Sequence, residues 1–408
     1  MLTSSGNSQE PQASQKSSRS GIHSVVRHGE AANSDVPAAE DFAAEFLEAV
    51  KAEGYVPQQV FNCDETRLFW KRMPKRTFIT QEESKLPGHK PMKDRLTLLF
   101  CANASGDLKI KPLLVYHSEN PRAFKKQKVD KEQLSVMWRS NSKAWVTRVL
   151  FVDWVNLAFG PAVKQYLLDN DLPLKALLLM DNAPAHPKGL EVDLLEEFSF
   201  ISIMFLPPNT TPLLQPMDQQ VIANFKKLYT KELFRRCFEV TDCTTITLRE
   251  FWKDHFDIVT CFKIITTAWN GISQRNLNCA WRSLWPDCVA PSDSDAPEST
   301  VVQDIVALGR TMGLEVTEED VSELVEEHDH ELTTQELVEL QAEVAQEQAS
   351  LEEEEATEER LSSKQLRDIC QKWKRCRLLH SSTTLTSTWH MTGRTLLMRR
   401  SCRLSGSC

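Results

Sequence analysis

Three aspartates stand beside apolar segments in a pattern that suits metal-dependent phosphoryl chemistry. They are Asp64 in Asn-Cys-Asp-Glu-Thr, Asp181 in Leu-Met-Asp-Asn-Ala-Pro-Ala-His and Asp218 in Leu-Gln-Pro-Met-Asp-Gln-Gln-Val-Ile. A carboxylate next to buried core is costly to leave charged and unpartnered, and a cation is its usual partner. Three such groups converging from remote points would form an all-oxygen site for hard divalent ions. Two Mg2+ or Mn2+ ions facing a phosphodiester would complete it.

Secondary structure must deliver these acids. Phe42, Phe46, Leu47 and Val50 follow helical spacing up to Gly54, which predicts one short helix before a first strand through Val60 and Phe61 to Cys63 and Asp64. Strands are expected at Arg95 to Ala102 and Leu108 to Tyr116, turned by Asn-Ala-Ser-Gly-Asp. A helix fits Val149 to Leu168, where Phe151, Trp154, Val155, Phe159, Val163 and Leu167 keep a 3.6-residue period. The unalternating run Ala176 to Met180 reads as a strand buried on both faces, delivering Asp181 at its end, and Phe200 to Leu206 repeats the pattern. A helix from about Pro216, with Val221, Ile222, Phe225 and Leu228 on one face, places Asp218 in or near its first turn. The predicted order is βββαβαβα, an α/β fold with a mixed sheet.

Composition bounds the rest. With 408 residues, 41% of them hydrophobic, the chain can fill a sizeable core, and it holds neither an 18-residue apolar run nor a charged-then-apolar N-terminus. No membrane partner is expected. Eleven cysteines without a Cys-x-x-Cys pair favour reduced core thiols over zinc or disulfides, as in an intracellular protein. Residues 291–363 hold 23 Asp/Glu against two Arg, so the net charge of −9 divides into an acidic tail and a basic body. That division suits a body that binds a polyanion and a tail that competes with it, or simply a solvated tail. Arg122, Lys125, Lys126 and Lys128 form a basic loop that could touch nucleic acid or be an ordinary solvated turn.

The motifs themselves resemble the pogo/Tigger transposases, a family related to the jerky and centromere protein B group. The resemblance runs from about Gly21 to Cys288, through Asn62-Cys-Asp-Glu-Thr, Leu96-Thr-Leu-Leu, Lys111-Pro-Leu-Leu-Val-Tyr-His-Ser-Glu-Asn-Pro-Arg122, Met180-Asp-Asn-Ala-Pro and Leu206-Pro-Pro-Asn-Thr-Thr211 into Gln215-Pro-Met-Asp218. It implies a ribonuclease H-like DDE catalytic core and a DNA strand transferase or endonuclease chemistry. By the same resemblance Asp64 would bridge two ions and Asp181 and Asp218 would each complete one, with Asn182 and His186 bracing the ligands or touching a phosphate. The expected organisation is a disordered linker remnant over residues 1–38, the DDE core over 39–235, a helical Trp-rich extension over 236–290, an acidic tail with short amphipathic helices over 291–363, and a disordered tail over 364–408.

Departures from the family pattern temper the catalytic expectation. Arg67, after Asp-Glu-Thr, and Gln220, after Met-Asp-Gln, stand where the family has Gly. Long side chains there are expected to crowd the metal site, unless Arg67 points away on the opposite strand face. Family members begin with helix-turn-helix modules, and the chain is expected to start just after them, leaving weak, sequence-independent DNA contact. Trp252, Phe256, Phe262, Trp269, Trp281 and Trp285 suggest helices packed on the core rather than base-stacking platforms. Thr317 to Asp320 and Thr333-Thr-Gln-Glu336 are capping boxes ahead of acidic amphipathic helices, expected to dock on the body or to recruit a second copy or another nuclear protein. The Ser/Thr- and Arg-rich ending suggests a frameshifted or read-through terminus, and Lys372-Trp-Lys-Arg-Cys-Arg377 a nuclear import signal. The expected function is a transposase-derived nuclear protein that binds nucleic acid without efficient catalysis. The alternatives are a residual metal-dependent DNA endonuclease, and an acidic-tail interaction module or the product of a decayed element.

Overall fold

The computed structural model describes residues 34–73, 94–183, 186, 189–242, 250–289, 299–312 and 316–328, with residues 244, 246 and 342. Expectations for residues 1–33 of the N-terminal linker, for the second capping box at Thr333, for the basic cluster at Lys372 and for the last segment fall outside them, and residues 36–38, expected to be disordered, belong to the first helix. Six strands form one mixed sheet: β1 (Val60–Leu68), β2 (Leu96–Asn103), β3 (Leu113–Tyr116), β4 (Met137–Ser140), β5 (Ala176–Met180) and β6 (Ile201–Phe205), in the order β4-β3-β2-β1-β5-β6. The strands β1, β2 and β3 pair antiparallel, and β5 and β6 add parallel to β1. This is the ribonuclease H-like arrangement, extended by β4 running parallel to β3 at one edge.

Helices cover both faces. The helix α1 (Val36–Glu53) starts where Asp35 accepts the Ala38 N–H and stops at Gly54, whose φ of 69° reverses the chain. Next come α2 (Arg122–Gln127), α3 (Arg148–Trp154) and α4 (Gly160–Asp169). Between α3 and α4 lies a π-turn at Val155–Phe159, where Pro161 offers no N–H to the preceding turn. After α5 (Thr211–Leu214) and α6 (Val221–Thr241), α7 (Ile258–Gly271) and α8 (Gln274–Cys279) complete the body. Two acidic-segment helices follow, α9 (Ser299–Thr311) and α10 (Glu318–Glu327).

One sheet face is closed by α3 and α4, with Phe151, Trp154, Phe159 and Val163 packed on Phe61 and Cys63. On the other, Phe225 and Tyr229 of α6 and Ile265 and Trp269 of α7 meet Leu68, Leu98 and Phe100, while α1 packs Phe46 near Leu177, Trp281 and Trp285. Trp252, Trp269, Trp281 and Trp285 are therefore core: Trp269 stacks on Phe100 at 4.3 Å and Trp281 on Phe46 at 6.3 Å. The six cysteines among the described residues are free. No described helix is long and apolar enough to cross a membrane.

Several local expectations need correction. Asp64 lies in the middle of β1, not at a strand end, because β1 continues through Glu65-Thr-Arg-Leu68 against all of β2. The third strand begins only at Leu113, since Pro112 has no N–H to give a ladder. The strand β4 was not anticipated, and between β5 and β6 the described residues form only single turns at Leu190–Val192 and Glu196–Phe198, in a stretch broken by Pro184, Pro187 and Gly189. The strand β6 lies at an edge and is buried throughout only at Ile201. The basic stretch after Pro121 is the helix α2, anchored by buried Phe124 and closed by Lys128 at φ 51°. The helix α6 starts at Val221, so Asp218 lies in a 3-10 turn just ahead of it.

Candidate metal centre

Strand alternation sorts β1 into two chemistries. Phe61 and Cys63 face α3 and α4, and so do Glu65 and Arg67 by parity; Leu68 faces α6, and with it Asn62, Asp64 and Thr66. Arg67 is therefore on the face opposite Asp64, and the expected crowding of Asp64 by that side chain does not arise. The parallel register of β1 with β5 sets Val60 beside Leu177 and Asn62 beside Leu179. Carried two residues further, the same offset places Asp64 level with Asp181, which leaves β5 directly after Met180.

Asp218 is brought in by Asn62, a fully buried residue that sequence reading passed over. Its side-chain amide donates to the Leu179 carbonyl at 3.0 Å and to Gln215 Oε1 at 3.5 Å, and its Oδ1 accepts the Met217 N–H at 2.9 Å. One amide thus ties β1 to β5 and to the turn Pro216–Asp218. Asn62 and Gln215 both lie inside quoted motifs, and the signal that could have found them is parity: Asn62 is two residues before Asp64 and shares its face.

The electrostatics mark Asp64 as the strained member. Burial pushes its pKa well above the ordinary carboxylate value, and the nearby carboxylates of Asp218, Glu65 and Asp181 push it further; Gln215 opposes them. Gln215 is fully buried, yet its Nε2 makes no hydrogen bond of good geometry. Asp181 is held below the ordinary value: burial alone would raise it, but the His186 hydrogen bond and charge and the Ala183 N–H outweigh that. His186, for its part, is pulled down by burial and pushed up more strongly by Glu65 and Asp181, to about 10, so the imidazole is a cation at neutral pH.

These residues fit a hard divalent cation in donor chemistry. Carboxylate oxygens on one sheet face repel one another, and a buried amide N–H aims no good hydrogen bond at any protein group. Among the described residues, however, no three His, Cys, Asp or Glu side chains stand in a ready ligand arrangement. Ion binding would have to draw the carboxylates together.

The remaining predicted residues are placed elsewhere. Asn182 is exposed immediately after Asp181. Arg122, Lys125 and Lys126 are exposed on α2, with Lys128 at its end; α2 follows β3, two strand spacings or about 10 Å across the sheet from β1. They do not join the aspartates. Gln220 takes up φ 71°, ψ −11°, the left-handed region, two residues after Asp218.

Residues 93–281 match the family model of a DDE superfamily endonuclease. The chain is similar to the Jerky protein homolog of Homo sapiens, 33% identical over 282 residues that cover 69% of this chain and 46% of that protein. Tigger transposable element-derived protein 7 of Homo sapiens is 37% identical over 194 residues, 47% of this chain and 34% of that protein. CENP-B homolog protein 2 of Schizosaccharomyces pombe is 25% identical, over 66% of this chain and 49% of that protein. The chain spans about half the length, or less, of these curated relatives. Among solved structures, the Mos1 transposase paired-end complex is 14% identical, with a TM-score of 0.33 over 68% of this chain and 66% of that one. The Mos1 mariner paired end complex with Mn has a TM-score of 0.30 over 68% and 67%.

Proposed function

The chain belongs to the pogo/Tigger group of DDE transposase-derived proteins, and from that premise we propose that it is a nucleic-acid-binding protein of the nucleus whose three aspartates hold divalent ions but turn over phosphodiesters poorly. The observation that carries the reading is the convergence of Asp64, Asp181 and Asp218 through the β1/β5 register and the Asn62 clamp. Asp64 would sit between two ions, with Asp181 and Asp218 as the outer ligands. When bound, such ions make a hydroxyl nucleophile available near neutral pH and neutralise the leaving oxygen. The protein's own contribution is to set Asp64 level with Asp181 and to hold the turn that carries Asp218 against β1.

Two features of the described residues support the reading of poor turnover. The acids are not in a closed ligand arrangement, and Gln220 strains the turn that carries Asp218. The exposed Arg122, Lys125 and Lys126 of α2 and Lys128 at its end supply salt-sensitive contact with the phosphate backbone. A second reading, a working metal-dependent endonuclease, gains from the position of Arg67 on the far face of β1, which leaves the Asp64 face clear of that side chain.

Two assays on the purified chain test the proposal. Binding to duplex DNA of arbitrary sequence should weaken steeply as salt rises, and supercoiled plasmid with Mn2+ should be nicked slowly or not at all. Absence of DNA binding at low salt would sink the nucleic-acid reading. Rapid nicking that disappears in Asp181→Asn would replace it with the endonuclease. Nuclear location is tested by imaging a fluorescent fusion with and without Lys372, Lys374, Arg375 and Arg377.

A further inference from the structure

Glu65 follows Asp64 in the chain, and alternation turns its side chain to the opposite face of β1. Its Oε1 lies 3.0 Å from His186 Nε2, and His186 Nδ1 lies 2.5 Å from Asp181 Oδ1. The His186 side chain is fully buried, and its ring packs against Phe151 at 4.7 Å, so it cannot swing away without disturbing the core under α3. Both described hydrogen bonds to the Asp181 carboxylate, from His186 and from the Ala183 N–H at 3.1 Å, fall on Oδ1. Among the described residues, none hydrogen-bonds Oδ2.

We propose that Glu65 and His186 are positioning residues for the metal-binding acids: Glu65 fixes the imidazole, the imidazole fixes one oxygen of Asp181, and Asp181 therefore meets an ion through the other oxygen alone. The inference rests on the ion-binding reading above and deepens it. It divides the adjacent acids of Asp-Glu-Thr by face, with Asp64 toward the ion and Glu65 behind it, so Glu65 is not a fourth ligand. A carboxylate, an imidazole and a second carboxylate hydrogen-bonded in series carry the constraint from Glu65 to Asp181, which suits the way outer hydrogen bonds orient metal ligands.

The test follows thermal unfolding of the full chain against Mn2+ concentration for wild type, Asp181→Asn, Glu65→Ala, Glu65→Gln and His186→Asn, with ion stoichiometry by calorimetry. Glu65→Ala and His186→Asn should need roughly 10- to 100-fold more Mn2+ for half-maximal stabilisation. Glu65→Gln keeps an oxygen that accepts from Nε2 and should stay within about threefold of wild type; a purely structural loss would not be rescued in this ion-specific way. Asp181→Asn should lose the response. Wild-type Mn2+ affinity in Glu65→Ala and His186→Asn overturns the positioning role, and loss of binding in Glu65→Gln as complete as in Asp181→Asn overturns it in favour of Glu65 as a ligand. A wild type indifferent to Mn2+ removes the ion-binding reading and this proposal with it, an outcome distinct from the other two.

Discussion

At the scale of single residues, the site is held in tension by its own charges. Asp64 is buried beside three other carboxylates, and its raised pKa means that the metal-free protein bears a cost for ionising it. Asp64→Asn should therefore raise metal-free stability at pH 7 by about 1 kcal/mol or more, some 2–4 °C in the unfolding midpoint, while abolishing the response to Mn2+. An unfolding scan without metal that shows Asp64→Asn less stable than wild type would contradict the strain. Gln220 makes a parallel case in the backbone. Its φ of 71° favours glycine, so Gln220→Gly should stabilise by up to about 1 kcal/mol, read as a rise in midpoint of a few degrees. The three aspartates were legible in the sequence because each interrupts an apolar run. Glu65, Asn62 and Gln215 were not, because their roles depend on which face of β1 a residue occupies and on a pairing between strands more than a hundred residues apart.

At the scale of elements, two contacts organise the region around Asp64. The first is the Asn62 clamp between β1, β5 and the turn at Pro216–Asp218. Replacing this buried amide by alanine leaves the Met217 N–H and the Leu179 carbonyl short of a partner. Asn62→Ala should cost about 2–4 kcal/mol and should lower Mn2+ affinity by freeing Asp218, both measurable in one unfolding series. The second is the docking of the acidic helices. The cap at Thr317 and Asp320 forms as its sequence predicts, and Val316 and Val321 pack with Ile305 and Val306 on Phe234 of α6. The chain then runs to His328, whose Nδ1 accepts the Phe69 N–H at 3.1 Å just past β1, next to the Arg72–Glu327 ion pair. Burial, together with Lys226 and Arg72, holds the His328 pKa well below 6.5. The folded value is depressed, so the stabilisation is complete above about pH 6.5 and is lost as pH falls from there through the folded value. Hydrogen-exchange protection factors in α10, which remove the intrinsic pH dependence of exchange, should fall between pH 7 and pH 5, and substitution of His328 by Gln should flatten that change. Capping boxes are local and could be read in advance. The docking partner could not, because Phe234 and Phe69 are core residues by any sequence pattern.

At the scale of the molecule, charge is distributed unevenly: residues 291–363 carry a net charge of −21, residues 364–408 carry +9, and residues 39–290 carry only +3. Replacing Glu352, Glu353, Glu354, Glu355, Glu358 and Glu359 by glutamine removes six negative charges of the kind that repel a polyanion. Duplex binding at low salt should tighten by roughly three- to tenfold, and the difference should shrink as salt screens both interactions. Equal binding by both forms at every salt would mean that the tail merely keeps the chain in solution. The overall architecture was largely legible, since unalternating apolar strands and a long amphipathic helix specify a sheet covered on both faces. The extra strand β4 escaped because four residues of mixed character, Met-Trp-Arg-Ser, carry no period of their own and become a strand only beside β3.

The alignment of β1 with β5 bears on how this gene can change. Asp64 and Asp181 are level because two strands are in register, not because the chain between them has a particular length or path. A flexible connection can double in length at a cost of only about 0.6 kcal/mol, so insertions, deletions and drift between Phe69 and Lys175, outside β2, β3, α3 and α4, can rework α2, β4 and the turns around them while the acids stay level. A shift of one residue within β1 itself, by contrast, would swap Asp64 with Glu65 across the sheet. Mutation can thus rework the surface of such a protein long before it parts the two acids.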